Sequence, residues 1–197
     1  MSARPIYAAA GALALAALAL PLWGFAMSAP QYPGETLHLQ ITRTGITGDV
    51  HEIETLQHYI GIRFPGELPE LTWAERGIVA IAALLLTAAI AGSGRIARAY
   101  RLACAMALLA FLLASAVAVQ ARLYAVGHDR DPKAPIQAVR DFTPLLVGPT
   151  KVGNFTVWSY PHAGALLLLA AAALSVAGTR VRPHPAHDDT FPREAAA

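Results

Sequence analysis

IYAAAGALALAALALPLWGFAM, residues 6–27, is the stretch on which the fold turns. It carries no charged side chain. As one helix, at roughly 1.5 Å per residue, it would cross a hydrocarbon core of about 30 Å. Pro21 would bend it near its far end, because proline removes a backbone donor and clashes with the preceding turn. A cleaved signal peptide is the rival reading. Arg4 is the only basic residue ahead of the apolar run, and Pro30 directly follows the poor cleavage match FAMSA. The expectation is an uncleaved anchor, with residues 1–27 as the first transmembrane helix.

The whole composition agrees with a membrane setting. Of 197 residues 55% are hydrophobic and 14% charged, with mean hydropathy +0.45. A soluble domain carries about a quarter charged residues. The net charge of +2 is small and the arginines are scattered near block ends, so nucleic acid is not an expected partner. The single cysteine, Cys104, lies inside an apolar block. It allows no disulfide within the chain and no CxxC motif, and a small buried hydrophobe is its simplest role.

Three more apolar blocks follow. LTWAERGIVAIAALLLTAAIAG predicts a helix over 72–91, opened by a capping box of Thr72 and Glu75 and broken by Gly92, Ser93 and Gly94. RIARAYRLACAMALLAFLLASAVAVQARLY predicts a third over 95–126, with Arg95, Arg98 and Arg101 in its first turns and Arg122 and Tyr124 at its exit. HAGALLLLAAAALSVAG predicts a fourth over 162–178, flanked by Trp158 and Tyr160 as interface residues. The tail, 179–197, is polar and proline-rich and is expected to be disordered. The fold class expected is therefore mainly α and integral to the membrane. It is a four-transmembrane-helix bundle with two structured extracytoplasmic loops, 28–71 and 127–161, made of short strands plus a short helix.

Lys and Arg near span ends set the orientation. Arg4, the Arg95/Arg98/Arg101 group and the Arg180/Arg182 pair share one side, which predicts that both termini are cytoplasmic. The 28–71 loop is acidic on balance, as an outer loop should be. The 127–161 loop runs against the rule, since Arg130, Lys133, Arg140 and Lys151 outnumber its acids.

Loops of this length are more than connectors and are expected to carry the function. In the first, TLHLQIT alternates Leu37, Leu39 and Ile41 with polar residues, the pattern of a half-buried strand. RTGITGD supplies turn residues. GDVHEIETLQHYIG, residues 48–61, predicts a helix over 50–60, with Asp49 as N-cap, Glu52 three residues on and Gly61 as its stop. Ile53, Leu56 and Ile60 line one side of that helix; His51, Glu54 and His58 line the other. Two imidazoles and a carboxylate in one stripe suit zinc or copper. Met27, His128 and His162 sit at outer span ends and are candidates to complete the set, while His38 belongs to the polar face of the strand. The alternative is an ordinary polar face, which any helix on a membrane surface requires. In the second loop, Pro135 can open a short helix through Asp141. FTPLLVGPTKVGNFTVWSYP can pair as a strand or lie in the interface, and NFT at Asn154 matches a glycosylation sequon.

MSAPQYP at 27–33 and GDVHEIETLQHYIG at 48–61 resemble a family of small bacterial inner-membrane proteins with a signature close to MSAPxYP…GDVxEINxLNHYIGM. FTPLLVG and VGNFTVWS fit the same group. The resemblance covers the two outer loops, roughly a third of the chain. It implies an accessory membrane protein found beside copper-dependent respiratory enzymes and their maturation systems, nitrous oxide reductase among them. Glu52, His58 and Tyr59 fall on the signature's polar positions. Gln57 replaces an Asn, and Ile62 stands where a Met is expected, which removes a soft sulfur ligand for Cu(I).

The function expected is a non-enzymatic accessory protein that binds a metal ion, copper or zinc, or a partner membrane or periplasmic protein through its outer loops, with the lipid bilayer as its surroundings. The alternative is an integral membrane enzyme acting on lipid or quinone at the outer surface, with His58 or Glu54 as base. No G-x-S-x-G nucleophile motif supports that alternative. A transporter would need ionisable residues at mid-membrane, and the blocks hold only Ser, Thr and Cys there.

Overall fold

In the computed structural model the opening apolar stretch divides in two. The structure describes residues 3–28, 30, 34–62, 68–131, 133–135 and 141–181, with the backbone alone at 56–60 and 69. Helix α1 runs from Arg4 to Ala17, with proline in its first turn. Alanine and leucine favour that helix. It tightens at its end, where Leu18 N–H bonds Leu15 O (3.1 Å) and Ala19 N–H bonds Ala16 O (3.1 Å). Pro21 has no N–H with which to continue. The chain then extends, and Trp23–Ser28 forms strand β1.

A short apolar run suits a buried strand as well as a helix, and tertiary pairing decides between them. Strand β2, Thr36–Thr42, lies antiparallel to β1 on one side, with Trp23 opposite Ile41 and Ser28 opposite Thr36. Strand β5, Phe155–Pro161, lies antiparallel on the other, with Trp23 opposite Pro161 and Ser28 opposite Thr156. Strand β3, Gly45–Gly48, forms a hairpin with β2 through a two-residue turn at Arg43 and Thr44. Strand β4, Gly148–Val152, forms one with β5 through Gly153 and Asn154, the glycine taking φ +58°. The order is β3-β2-β1-β5-β4, so the segment expected to end a membrane span is instead the central strand. The stretch expected to be only a turn, RTGITGD, contains strand β3.

Alternation gives the sheet two unlike faces. Met27, Leu37, Leu39, Val152 and Phe155 are buried on one, together with Ile53 of helix α2, Val50–Ile60. That helix has the predicted bounds, and Gly61 stops it with φ +76°. Asp49 has a different task from the one expected: its Oδ2 accepts the His38 N–H at 2.8 Å, fastening the helix start to β2.

Helices α3, Pro69–Ile90, α4, Arg95–His128, and α5, Ala163–Thr179, are the remaining elements among the described residues. Helix α3 begins a turn before the expected Thr72, with Pro69 in its first turn, a favoured place for a missing N–H. Glu75, expected to cap it, pairs with Arg43 at 3.1 Å and ties the β2–β3 hairpin to α3. Helix α1 packs against α3 and α5, and α4 against the same two. Small residues allow the close approach: Ala10, Ala14, Ala82, Ala88 and Ala171 are fully buried. Tyr7, also fully buried, donates its hydroxyl to Ser175 O at 2.9 Å, and the hydroxyl oxygen lies 3.3 Å from Arg101 O. The Arg101 guanidinium donates to Ala88 O (3.1 Å) and Ala91 O (2.7 Å), closing the end of α3.

The expected four-transmembrane-helix bundle is therefore overturned. Among the described residues there are five helices and a five-stranded antiparallel sheet, a mixed helix-and-sheet fold. Among the described residues, only α3, from Glu70, and α4 are long and apolar enough to cross a membrane. Helix α1 has 14 residues and α5 has 17. The short helix expected between Pro135 and Asp141, and the tail from 182, lie outside the described residues.

Candidate binding cavity beneath the sheet

Of the six residues expected to hold a metal, five have described side chains, and these stand on four different elements or their ends. His51 and Glu54 are exposed on α2, on the side away from buried Ile53. The side chain of His58 lies outside the described residues. Met27 is buried on the inner face of β1. His128 ends α4, where its Nδ1 lies 2.9 Å from Tyr124 O and its ring stacks on Tyr124 at 3.9 Å. His162 is the N-cap of α5, with Nδ1 accepting the Ala163 N–H at 2.8 Å. Among the described residues no three His, Cys, Asp or Glu side chains are placed to share a metal ion.

The residues that do converge are apolar. A cavity of about 160 Å³, partly open, lies between the inner face of the sheet and the last turns of α4. Phe25, Leu39 and Phe155 come from the sheet, Ile53 from α2, and Leu123 and Val126 from α4. At about 24 cal/mol per Å³, an unfilled closed cavity of this volume would cost roughly 4 kcal/mol. An apolar cavity of about 150 Å³ is large enough to take a benzene ring.

Close backbone contacts build the cavity wall. Asp131 N–H donates to Gly61 O at 2.8 Å, and Ile62 bridges Arg130, so the end of α2 is sewn to the exit of α4. Gly127 lets the backbone of Phe142 lie against α4, where a Cβ would stand 1.8 Å from Phe142 O. Gln120 Nε2 holds Pro144 O at 3.1 Å. Buried Ser159 accepts from Trp23 Nε1 and donates to Leu146 O, both at 2.8 Å, which anchors the segment leading to β4.

Arg122 is the only charged side chain among the described lining residues. Its Nε donates to Glu70 Oε1 at 3.0 Å, and its Nη2 donates to the same oxygen. Glu70 Oε2 is buried with no hydrogen-bond partner among the described groups. Both side chains are about one third exposed, which limits the pair's contribution to stability. Neither residue stood out in the sequence as a site. The available signal was a pair of opposite charges at the outer ends of two blocks joined by a tight turn, which antiparallel helices bring side by side.

No protein-family model matches the chain, and no curated protein or solved structure matches it either.

Proposed function

We propose that the chain is a non-enzymatic accessory protein, seated in the membrane through the α3–α4 hairpin, that presents its sheet at the outer surface to a partner protein. The observation that supports the seat is the apolar surface of α4. Most of the helix is uncovered, and Leu113 and Val117 are more than 60% exposed. A core helix of a soluble protein would be covered, and a large uncovered apolar surface marks a membrane or protein contact. The side of the membrane follows from charge. Tyr7, Ser175 and Arg101 meet at one end of the helices, which also carries Arg4, Arg95, Arg98 and Arg180; the sheet lies at the other end. Basic residues favour the cytoplasmic side, which leaves the sheet outside. The accessory role in a copper-dependent respiratory system takes its support from the MSAPQYP and GDVHEIETLQHYIG resemblance.

The single cysteine makes the orientation testable. In a Cys104→Ser background, Thr44→Cys places a thiol in the exposed β2–β3 turn. A membrane-impermeant maleimide should label it in spheroplasts as fully as in lysed cells, and the protein should stay in the pellet after alkaline carbonate washing. Labelling only after lysis, or release by carbonate, would refute the reading.

A metal-dependent version needs His58 together with His51 and Glu54, and further ligands from a partner. Copper and zinc would be measured in the purified protein by mass spectrometry, beside His51→Ala/His58→Ala. The metal version predicts near one equivalent of metal in the parent and at least a fivefold loss in the double variant. Equal, near-zero contents would leave only the partner version.

A further inference from the structure

We propose that the cavity beneath the sheet binds a lipid-soluble molecule with an oxygen acceptor at one end, a carbonyl or a carboxylate, received by Arg122. The lining decides the chemistry of the body of the ligand: apart from Arg122 and Thr150, every described lining residue is apolar. Ligand sites of this kind are mostly apolar with a few placed polar groups. The Thr150 hydroxyl already accepts the Leu145 N–H at 2.9 Å. That hydroxyl keeps its own O–H as a secondary donor, and Arg122 is the charged group among the described lining residues that can meet a polar atom. Glu70 engages its Nε and Nη2, and no hydrogen bond among the described groups uses Nη1. An arginine Nη1 carries two donors and no acceptor, so the ligand must supply an oxygen rather than an N–H.

The location supports a ligand drawn from the bilayer. Leu123 and Val126 line the cavity from the last turns of α4, and the same helix carries the exposed apolar surface at Leu113 and Val117. Leu145 and Val147, both more than half exposed, continue that surface beyond Pro144, another lining residue. An apolar molecule dissolved beside α4 would therefore meet an apolar path to the cavity. Two sources fit, a quinone ring with its carbonyl on Arg122, or a fatty acid with its carboxylate there. This inference does not depend on which side of the membrane the sheet occupies.

The test uses the full chain in lipid nanodiscs, with decylubiquinone and lauric acid as separate probes, binding being followed by native mass spectrometry and by the shift in melting temperature. At least one probe should bind at micromolar concentration. Val126→Trp fills the cavity and should weaken that binding at least tenfold; Leu123→Phe provides a smaller filling change if the tryptophan variant fails to fold. Binding of laurate alone identifies an anionic chain, and binding of the quinone alone a neutral ring. In either case the double variant Glu70→Gln/Arg122→Gln should bind at least fivefold more weakly. The proposal is overturned if neither probe binds, or if binding is indifferent to both filling variants.

Discussion

Replacing Tyr7 by Ala should destabilise the helical half of the molecule by about 3–5 kcal/mol, the range found when a large aromatic core side chain is truncated. Tyr7 has no exposed surface and lies where four helices meet. Its ring packs so closely on Gly178 that a Cβ there would stand 2.6 Å from Tyr7 Cε2. The Arg101 guanidinium carbon lies 5.9 Å from the ring centroid. Alanine would remove all of this contact and leave a hole that rigid neighbouring helices cannot close. Tyr7→Phe separates the ring from the hydroxyl. It keeps the packing and loses the donor to Ser175 O, and should cost only about 1 kcal/mol. Thermal unfolding of the detergent-purified protein would rank the three proteins. Equal melting temperatures for the alanine variant and the parent would show that the four helices do not meet on this ring.

Gly127→Val should be comparably damaging, about 3 kcal/mol or more, at the opposite end of the helices. Overpacking usually costs 1–3 kcal/mol because side chains can turn aside. Here the obstacle is the Phe142 carbonyl, which is backbone, and the space for a Cβ is only 1.8 Å. The segment after α4 would have to lift away, loosening the Phe142 and Pro144 wall of the cavity. Gly92→Ala is the matched control, since nothing lies within 4 Å of a Cβ at that position. The control should unfold with the parent protein, whereas the valine variant should melt markedly lower or fail to accumulate. A valine variant as stable as the control would mean that residues 142–144 do not lie on α4.

The parts of the fold that could be read from the sequence are those with local signals. The period of two in TLHLQIT marked β2, and Asp49 and Gly61 bracketed α2 at its observed bounds. The apolar block after His162 became α5 almost residue for residue. The part whose structure departs from the expected helix, WGFAMS, has no local signal of its own. Five of its six residues are apolar or glycine and continue an apolar helix without a break in composition. Its strand conformation depends on β2 and β5, and β5 lies more than 120 residues further along the chain. Periodicity within a window cannot register a partner so distant. The site followed the same rule. His51, Glu54 and His58 were conspicuous because they are polar and evenly spaced. The cavity brings together residues from β1, β2, α2, α4 and β5, each of which alone is an ordinary apolar residue.

The outermost strands, β3 and β4, have a bearing on how the protein behaves in company. An open sheet ends in rows of unpaired amides and carbonyls, which invite a strand from another molecule. Here one margin is only four residues long and half glycine, too brief and too weak a template for a foreign chain to copy. The other carries Pro149, which offers no N–H, and the charge of Lys151. The sheet is thus blunted on both flanks against uncontrolled polymerisation when many copies crowd together.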